Sequence, residues 1–107
     1  MNDQSSTEFE APPVTVYLTA LCPYCYMTTQ LLNSKGVSFN KIDVTFKPAL
    51  RAEMKDLAGG RTSVPQIWIG DRHVGGFQEL EALEHDGHLD ALLNGAGGVD
   101  NAEKPAD

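Results

Sequence analysis

The chain carries two cysteines, and they stand three residues apart in the run Cys22-Pro23-Tyr24-Cys25. Paired thiols at that spacing can exchange electrons with a disulfide or supply half of a metal site. Exchange needs one thiolate nucleophile and a second thiol able to attack the bond the first has formed. A separation of three residues stacks both side chains on one face of a helix, which permits a disulfide without moving the backbone. A structural zinc site takes four ligands, and the sequence has no second Cys-x-x-Cys. Of its three histidines, His85 and His88 miss the usual zinc spacing, and all three, His73 included, are expected on the surface. No metal site is therefore expected. A chain that relied on disulfides to stay folded would carry more cysteines, so the pair reads as redox-active.

The elements around the pair decide which cysteine attacks. Val14 to Thr19 is β-branched and aromatic, the composition of a strand. A helix follows from Pro23 to about Ser34, with Met27, Leu31 and Leu32 on its apolar face and Gly36 as its stop. Cys22 then falls where the strand hands over to the helix. Amide N–H groups at a helix start have no intrahelical partner and carry partial positive charge, so a thiolate there is favoured. Pro23 has no N–H to give. The amides of Tyr24 and Cys25 are expected to point at the Cys22 sulfur. Cys25, one turn deeper, is expected to be buried and less acidic. Cys22 attacks and Cys25 resolves the mixed disulfide.

The rest of the chain supplies a sheet and further helices. Phe39 to Val44 reads as a second strand with neither face cleanly apolar. Pro48 opens a second helix with Leu50, Met54 and Leu57 along one face, ended by Gly59-Gly60. Gln66 to Ile69 and Arg72 to Val74 read as a hairpin turning at Gly70-Asp71. A third helix follows Gly75-Gly76 with Phe77, Leu80 and Leu83 inward. Gly87 interrupts it before Leu89, Leu92 and Leu93. The order β-α-β-α-β-β-α implies an α/β fold: a four-stranded mixed sheet with three or four helices on both faces and a right-handed crossover between the first two strands. Cys-x-x-C next to a βαβ unit reads as thioredoxin-like.

Two other segments fit a ligand site. Pro65 stands before a strand, and Val64 before it is pushed toward extended geometry, which leaves its N–H and C=O for a peptide-like ligand. A strand-start proline would look the same. Gly75-Gly76 brings the backbone close to a ligand. The following helix start, through Phe77 and Gln78, can hold a carboxylate.

At 107 residues the chain fits one domain, with 41% hydrophobic residues for its core. Residues 1–13 and 95–107 are polar or small and read as flexible tails around a domain at 14–94. The net charge of −7 at pH 7 argues against nucleic acid as a partner. No apolar run approaches the roughly 20 residues of a membrane span. The polar, acidic N-terminus is unlike a secretory signal or transit peptide, so a cytoplasmic monomer is expected.

Three blocks together, Cys22-Pro23-Tyr24-Cys25, Thr62-Ser63-Val64-Pro65-Gln66 and Gly75-Gly76-Phe77-Gln78-Glu79-Leu80, make Val14 to Leu93 resemble a glutaredoxin, most of all the small bacterial dithiol kind. Thioredoxins commonly have Gly-Pro between their cysteines. The resemblance implies a thioredoxin fold with a cis Val64–Pro65 bond. It implies glutathione as co-substrate with no tightly bound cofactor, and clients that carry disulfides or glutathione mixed disulfides. It puts the cysteinyl backbone of glutathione at Ser63, Val64 and Pro65, its γ-glutamyl carboxylate at Gly76, Phe77 and Gln78, and its glycine end by Tyr24 and Arg61. Two departures stand out. Many relatives carry a Lys three residues before the first cysteine, where this chain has Thr19; either glutathione binding or thiolate stabilisation should be weaker, with Arg61 or Arg51 supplying the charge. Some relatives have a further cysteine where this chain has Phe77. Rival readings are a redoxin served by thioredoxin reductase, a carrier of an iron–sulfur cluster ligated by Cys22 of two monomers and glutathione, and an inactive interaction module.

Overall fold

The computed structural model describes residues 11–95; most of both expected tails lies outside these residues. The elements run β1 (Val14–Leu18), α1 (Pro23–Ser34), β2 (Asn40–Asp43), α2 (Pro48–Leu57), β3 (Gln66–Ile69), β4 (Arg72–Gly75), α3 (Phe77–His85) and α4 (Leu89–Leu93). The sheet order is β2-β1-β3-β4. β1 runs parallel to β2 and antiparallel to β3, and β3 pairs antiparallel with β4. This is the expected four-stranded mixed sheet of a thioredoxin-like fold. Pro13 also meets the sheet end, where its carbonyl accepts from Gly70 N–H at 2.7 Å.

Strand alternation divides the core in two. Val14 and Val16 of β1 and Ile67 and Ile69 of β3 point to one face, against Leu32, Leu80, Leu89, Leu92 and Leu93 of α1, α3 and α4. Tyr17 and Trp68, one residue out of phase, point to the other face with Val44 and Met54. Tyr17 and Trp68 meet edge to face at 5.4 Å. Each fully buried Leu or Ile stabilises the fold by about 1.5–3 kcal/mol, so β1, the inner strand that carries Cys22 at its exit, is anchored on both sides.

The helix faces differ from the apolar spacing. In α1 the buried stripe is Cys25, Thr28 and Leu32, while Met27 is 42% exposed. Thr28 can be buried because its hydroxyl donates to Tyr24 C=O at 2.8 Å, which satisfies it locally. In α2, Met54 is buried and Leu57 is exposed; Ala58, just past the helix, takes the buried place expected of Leu57. The consequence in α1 is functional, since rotating the stripe onto position 25 sinks the second thiol into the core. Gly87, at φ +80, separates α3 from α4 where the sequence breaks its apolar face.

Candidate active site

Cys22 is the N-cap of α1, with extended backbone (φ −139°, ψ 108°), and Pro23 takes the first helical position. Proline suits that place because its missing N–H would have no partner there. Of the two amides expected at the Cys22 sulfur, Cys25 N–H donates to Sγ at 3.1 Å. The Tyr24 amide makes no such bond, because an N-cap side chain reaches the N–H groups of the second or third helical residue and here the third one holds it. The Cys22 thiol is half-buried and lies 3.8 Å from Val64 C=O, to which it donates. The Val64–Pro65 bond is cis. The Cys22 sulfur is thus held between the start of α1 and the loop before β3.

Cys25 is 3% exposed. Burial pushes its thiol up to about 12, helped by the hydrogen bond with Cys22 and opposed by a backbone hydrogen bond from Thr19 and the charge of Arg51. The two thiols are free, one half-buried at the helix cap and the other buried one turn deeper. A stability consequence follows. A group whose folded value lies above its unfolded one stabilises the fold below the unfolded value and loses that contribution as pH rises. Reduced protein should therefore lose stability between about pH 9 and pH 12. Denaturant titrations across that window should show a steeper decline for the wild type than for Cys25→Ala.

A groove of about 170 Å³ is lined in part by Val64, whose carbonyl accepts from the Cys22 thiol. Tyr24, Arg61, Ser63, Val64, Pro65, Gly76, Phe77 and Gln78 line it. The eight residues that the resemblance set beside the cysteines therefore share one cavity. Tyr24 stacks on Phe77 with ring centroids 6.0 Å apart, which ties the redox helix to the start of α3. Of the two candidate cations, Arg61 lines the groove, whereas Arg51 is turned to the Thr62 carbonyl, to which Nη2 donates at 3.1 Å.

Glu79 also lines the groove, and sequence reasoning missed it as a site residue. Its Oε1 accepts from Gly76 N–H at 2.6 Å and lies 3.5 Å from Arg61 Nη2. The Gly76 bond, and then the Arg61 charge, hold its carboxyl below the usual range. The signal was present: an acidic residue three places after a helix-capping position reaches back to the cap amide. Gly76 has no side chain, so only this half of the reciprocal cap can form.

A second buried feature supports the Val64 loop. Gln66 is fully buried; its Nε2 donates to Ser63 C=O at 3.0 Å and to Ser63 Oγ at 3.3 Å. A carbonyl can only accept, so the Gln66 amide is oriented with Oε1 toward His73, 2.7 Å from Nε2. His73 Nε2 therefore carries the proton. His73 is not the surface residue expected from sequence; it is half-buried and stacks on Trp68 at 4.6 Å. Burial, then the Arg61 charge, lowers its basicity. Gln66→Leu should cost about 2 kcal/mol in urea unfolding, since it strands the polar groups on both sides.

Among the described residues no cluster of three or more His, Cys, Asp or Glu could hold a metal ion, and no helix is long and apolar enough to cross a membrane. The glutaredoxin family model matches residues 14–74. A glutaredoxin of Pseudomonas aeruginosa is 58% identical over 83 residues, 78% of this chain and 98% of that protein. Glutaredoxin 3 of Escherichia coli is 46% identical over 80 residues, 75% of this chain and 95% of its own length. The solution structure of a Brucella melitensis glutaredoxin, 47% identical, superposes with a TM-score of 0.71 over 81% of this chain and 92% of that one. With a free thiol capping α1, its partner buried one turn in and this kinship over 78% of its length, the chain belongs to the glutaredoxin family and is a thiol–disulfide oxidoreductase.

Proposed function

We propose that the enzyme reduces protein disulfides and protein–glutathione mixed disulfides in the cytoplasm, with glutathione as the reductant that regenerates it. The observation that carries this reading is the groove beside Cys22. It combines a backbone edge at Val64, 3.8 Å from the sulfur, with a helix start and the Arg61 guanidinium. A γ-glutamyl tripeptide has matching parts: an extended backbone for the Val64 edge, and carboxylates for the amides of Phe77 and Gln78 and for Arg61.

The chemistry runs in two exchanges. The Cys22 thiolate attacks one sulfur of the substrate disulfide; that S–S bond breaks and the other sulfur leaves as a thiolate, which takes a proton. Where the substrate is a protein disulfide, Cys25 then attacks Cys22 and releases the second substrate thiol. Where it is a glutathione mixed disulfide, Cys22 takes the glutathione and free glutathione resolves the adduct. Glutaredoxins have potentials of roughly −200 to −230 mV, close to that of the glutathione pool, so either direction is accessible.

Oxidised protein supplied with glutathione, NADPH and glutathione reductase should turn over a cysteinyl-glutathione mixed disulfide. The same protein given thioredoxin reductase and NADPH should not. Turnover with thioredoxin reductase alone would refute glutathione dependence. Thr19, where many relatives have Lys, gives a second comparison: Thr19→Lys should lower the KM for glutathione severalfold.

A further inference from the structure

Two large apolar side chains on the loops next to Cys22 are left unburied by the fold, and neither is among the residues lining the groove. Leu21, directly before Cys22, is 95% exposed, and Phe46 in the β2–α2 turn is 97% exposed. Their loops are joined, since Ala20 N–H donates to Thr45 Oγ1 at 2.9 Å. Phe46 is displayed on a firm turn. Thr45 N–H donates to Asp43 Oδ1 at 2.8 Å, and Lys47 N–H donates to Val44 C=O at 3.0 Å. Phe46 occupies the third position of that turn at φ +56, a place that favours Gly and that a bulky side chain adopts at a conformational cost. No burial of the ring offsets that cost.

What covers these two side chains follows from the reaction. A mixed disulfide fixes the client's sulfur on Cys22 Sγ, so the client's chain lies over the residues next to it. Glutathione as proposed fills the groove lined by Arg61 and Gly76, which leaves Leu21 and Phe46 uncovered. We infer that Leu21 and Phe46 form a client-docking rim that selects protein disulfides with an apolar residue next to the attacked cysteine. This rests on the oxidoreductase reading and adds to it a preference among clients. In the selected step the Cys22 thiolate displaces one client sulfur, and Cys25 then displaces the other. The client gains two electrons and two protons, and the Cys22–Cys25 pair becomes the disulfide.

The test uses reduced protein without glutathione, in single-turnover reduction of three disulfides. Two are peptides with an internal disulfide that differ only by Leu or Ser next to one cysteine; the third is 2-hydroxyethyl disulfide. The variant is Leu21→Ser/Phe46→Gly. It should reduce the Leu peptide about tenfold more slowly, the loss expected when half of a large apolar contact is removed. Rates on the Ser peptide and the small disulfide should stay within about twofold by the same conversion. Phe46→Gly alone should leave the melting midpoint unchanged or raise it, which separates a docking role from a structural one. Equal loss on all three substrates, or no loss on the Leu peptide, overturns the docking rim. So does sedimentation showing a wild-type dimer that the double variant dissociates, because a second copy would then be the occupant. Failure of the wild type on all three overturns the oxidoreductase reading and the rim with it.

Discussion

Cys22→Ser should lose turnover by at least about a thousandfold on every disulfide substrate, while Cys25→Ser should lose it on protein disulfides alone. A serine hydroxyl is a poor nucleophile at neutral pH and cannot form the mixed disulfide, so the first loss is general. The second is selective because the geometry divides the labour. Cys22 caps α1, accepts from Cys25 N–H at 3.1 Å, is half-buried and lies 3.8 Å from Val64 C=O, which lines the groove. Cys25 is 3% exposed, and burial holds it as a thiol. A substrate meets only the first sulfur. In the proposed mechanism Cys25 acts after Cys22 has been derivatised, and on a glutathione adduct a second glutathione replaces it. Paired assays on a glutathione mixed disulfide and an internal peptide disulfide measure both effects. Equal loss of both activities in Cys25→Ser would remove the assigned roles.

Gly75→Ala should lower stability by about 2–4 kcal/mol, combining left-handed strain with a lost helix cap. At roughly 4–8 °C per kcal/mol for a domain of this size, the melting midpoint should fall by well over 5 °C. Gly75 sits at φ +116, and an added Cβ would lie 2.8 Å from Glu79 Oε1 and 2.9 Å from Arg61 Nη1. Both atoms end flexible side chains and can move away. Moving them gives up the Gly76 N–H to Glu79 bond and shifts the one arginine that lines the groove. The effect should therefore appear twice, as a lower midpoint in calorimetry and as a higher KM for glutathione with little change in the alkylation rate of Cys22. Gly76→Ala should be milder in stability, since its Cβ would stand 3.3 Å from Pro65 C=O and no positive φ is involved.

Much of this site was legible because its parts announce themselves locally. Cysteines at i and i+3 after a strand and proline at the first helical position imply their geometry from covalent and helical constraints, whereas the cis Val64–Pro65 bond and the placing of Tyr24, Arg61 and Ser63 followed only from the resemblance to glutaredoxins. The order of elements and the mixed sheet followed from strand composition and turn residues. What escaped depended on the folded environment. Apolar spacing in α1 favoured Met27, yet Thr28 is buried because its own helix accepts its hydroxyl proton. His73 looked like a surface residue, yet it is half-buried on Trp68 and fixed by Gln66, a contact made across the hairpin. The amide at the Cys22 sulfur is that of Cys25 alone, a choice set by the turn of backbone at the cap. Glu79 enters the groove through its bond to Gly76, which the reciprocal-cap pattern could have indicated.

Unequal access to two thiols one helical turn apart underlies the proposed chemistry. Reduced protein treated briefly with substoichiometric iodoacetamide at neutral pH, then digested and mapped by mass spectrometry, tests it directly. The label should sit on Cys22, with Cys25 modified only after unfolding. Label divided evenly between the two, or found first on Cys25, would contradict the assignment of Cys22 as the attacking sulfur.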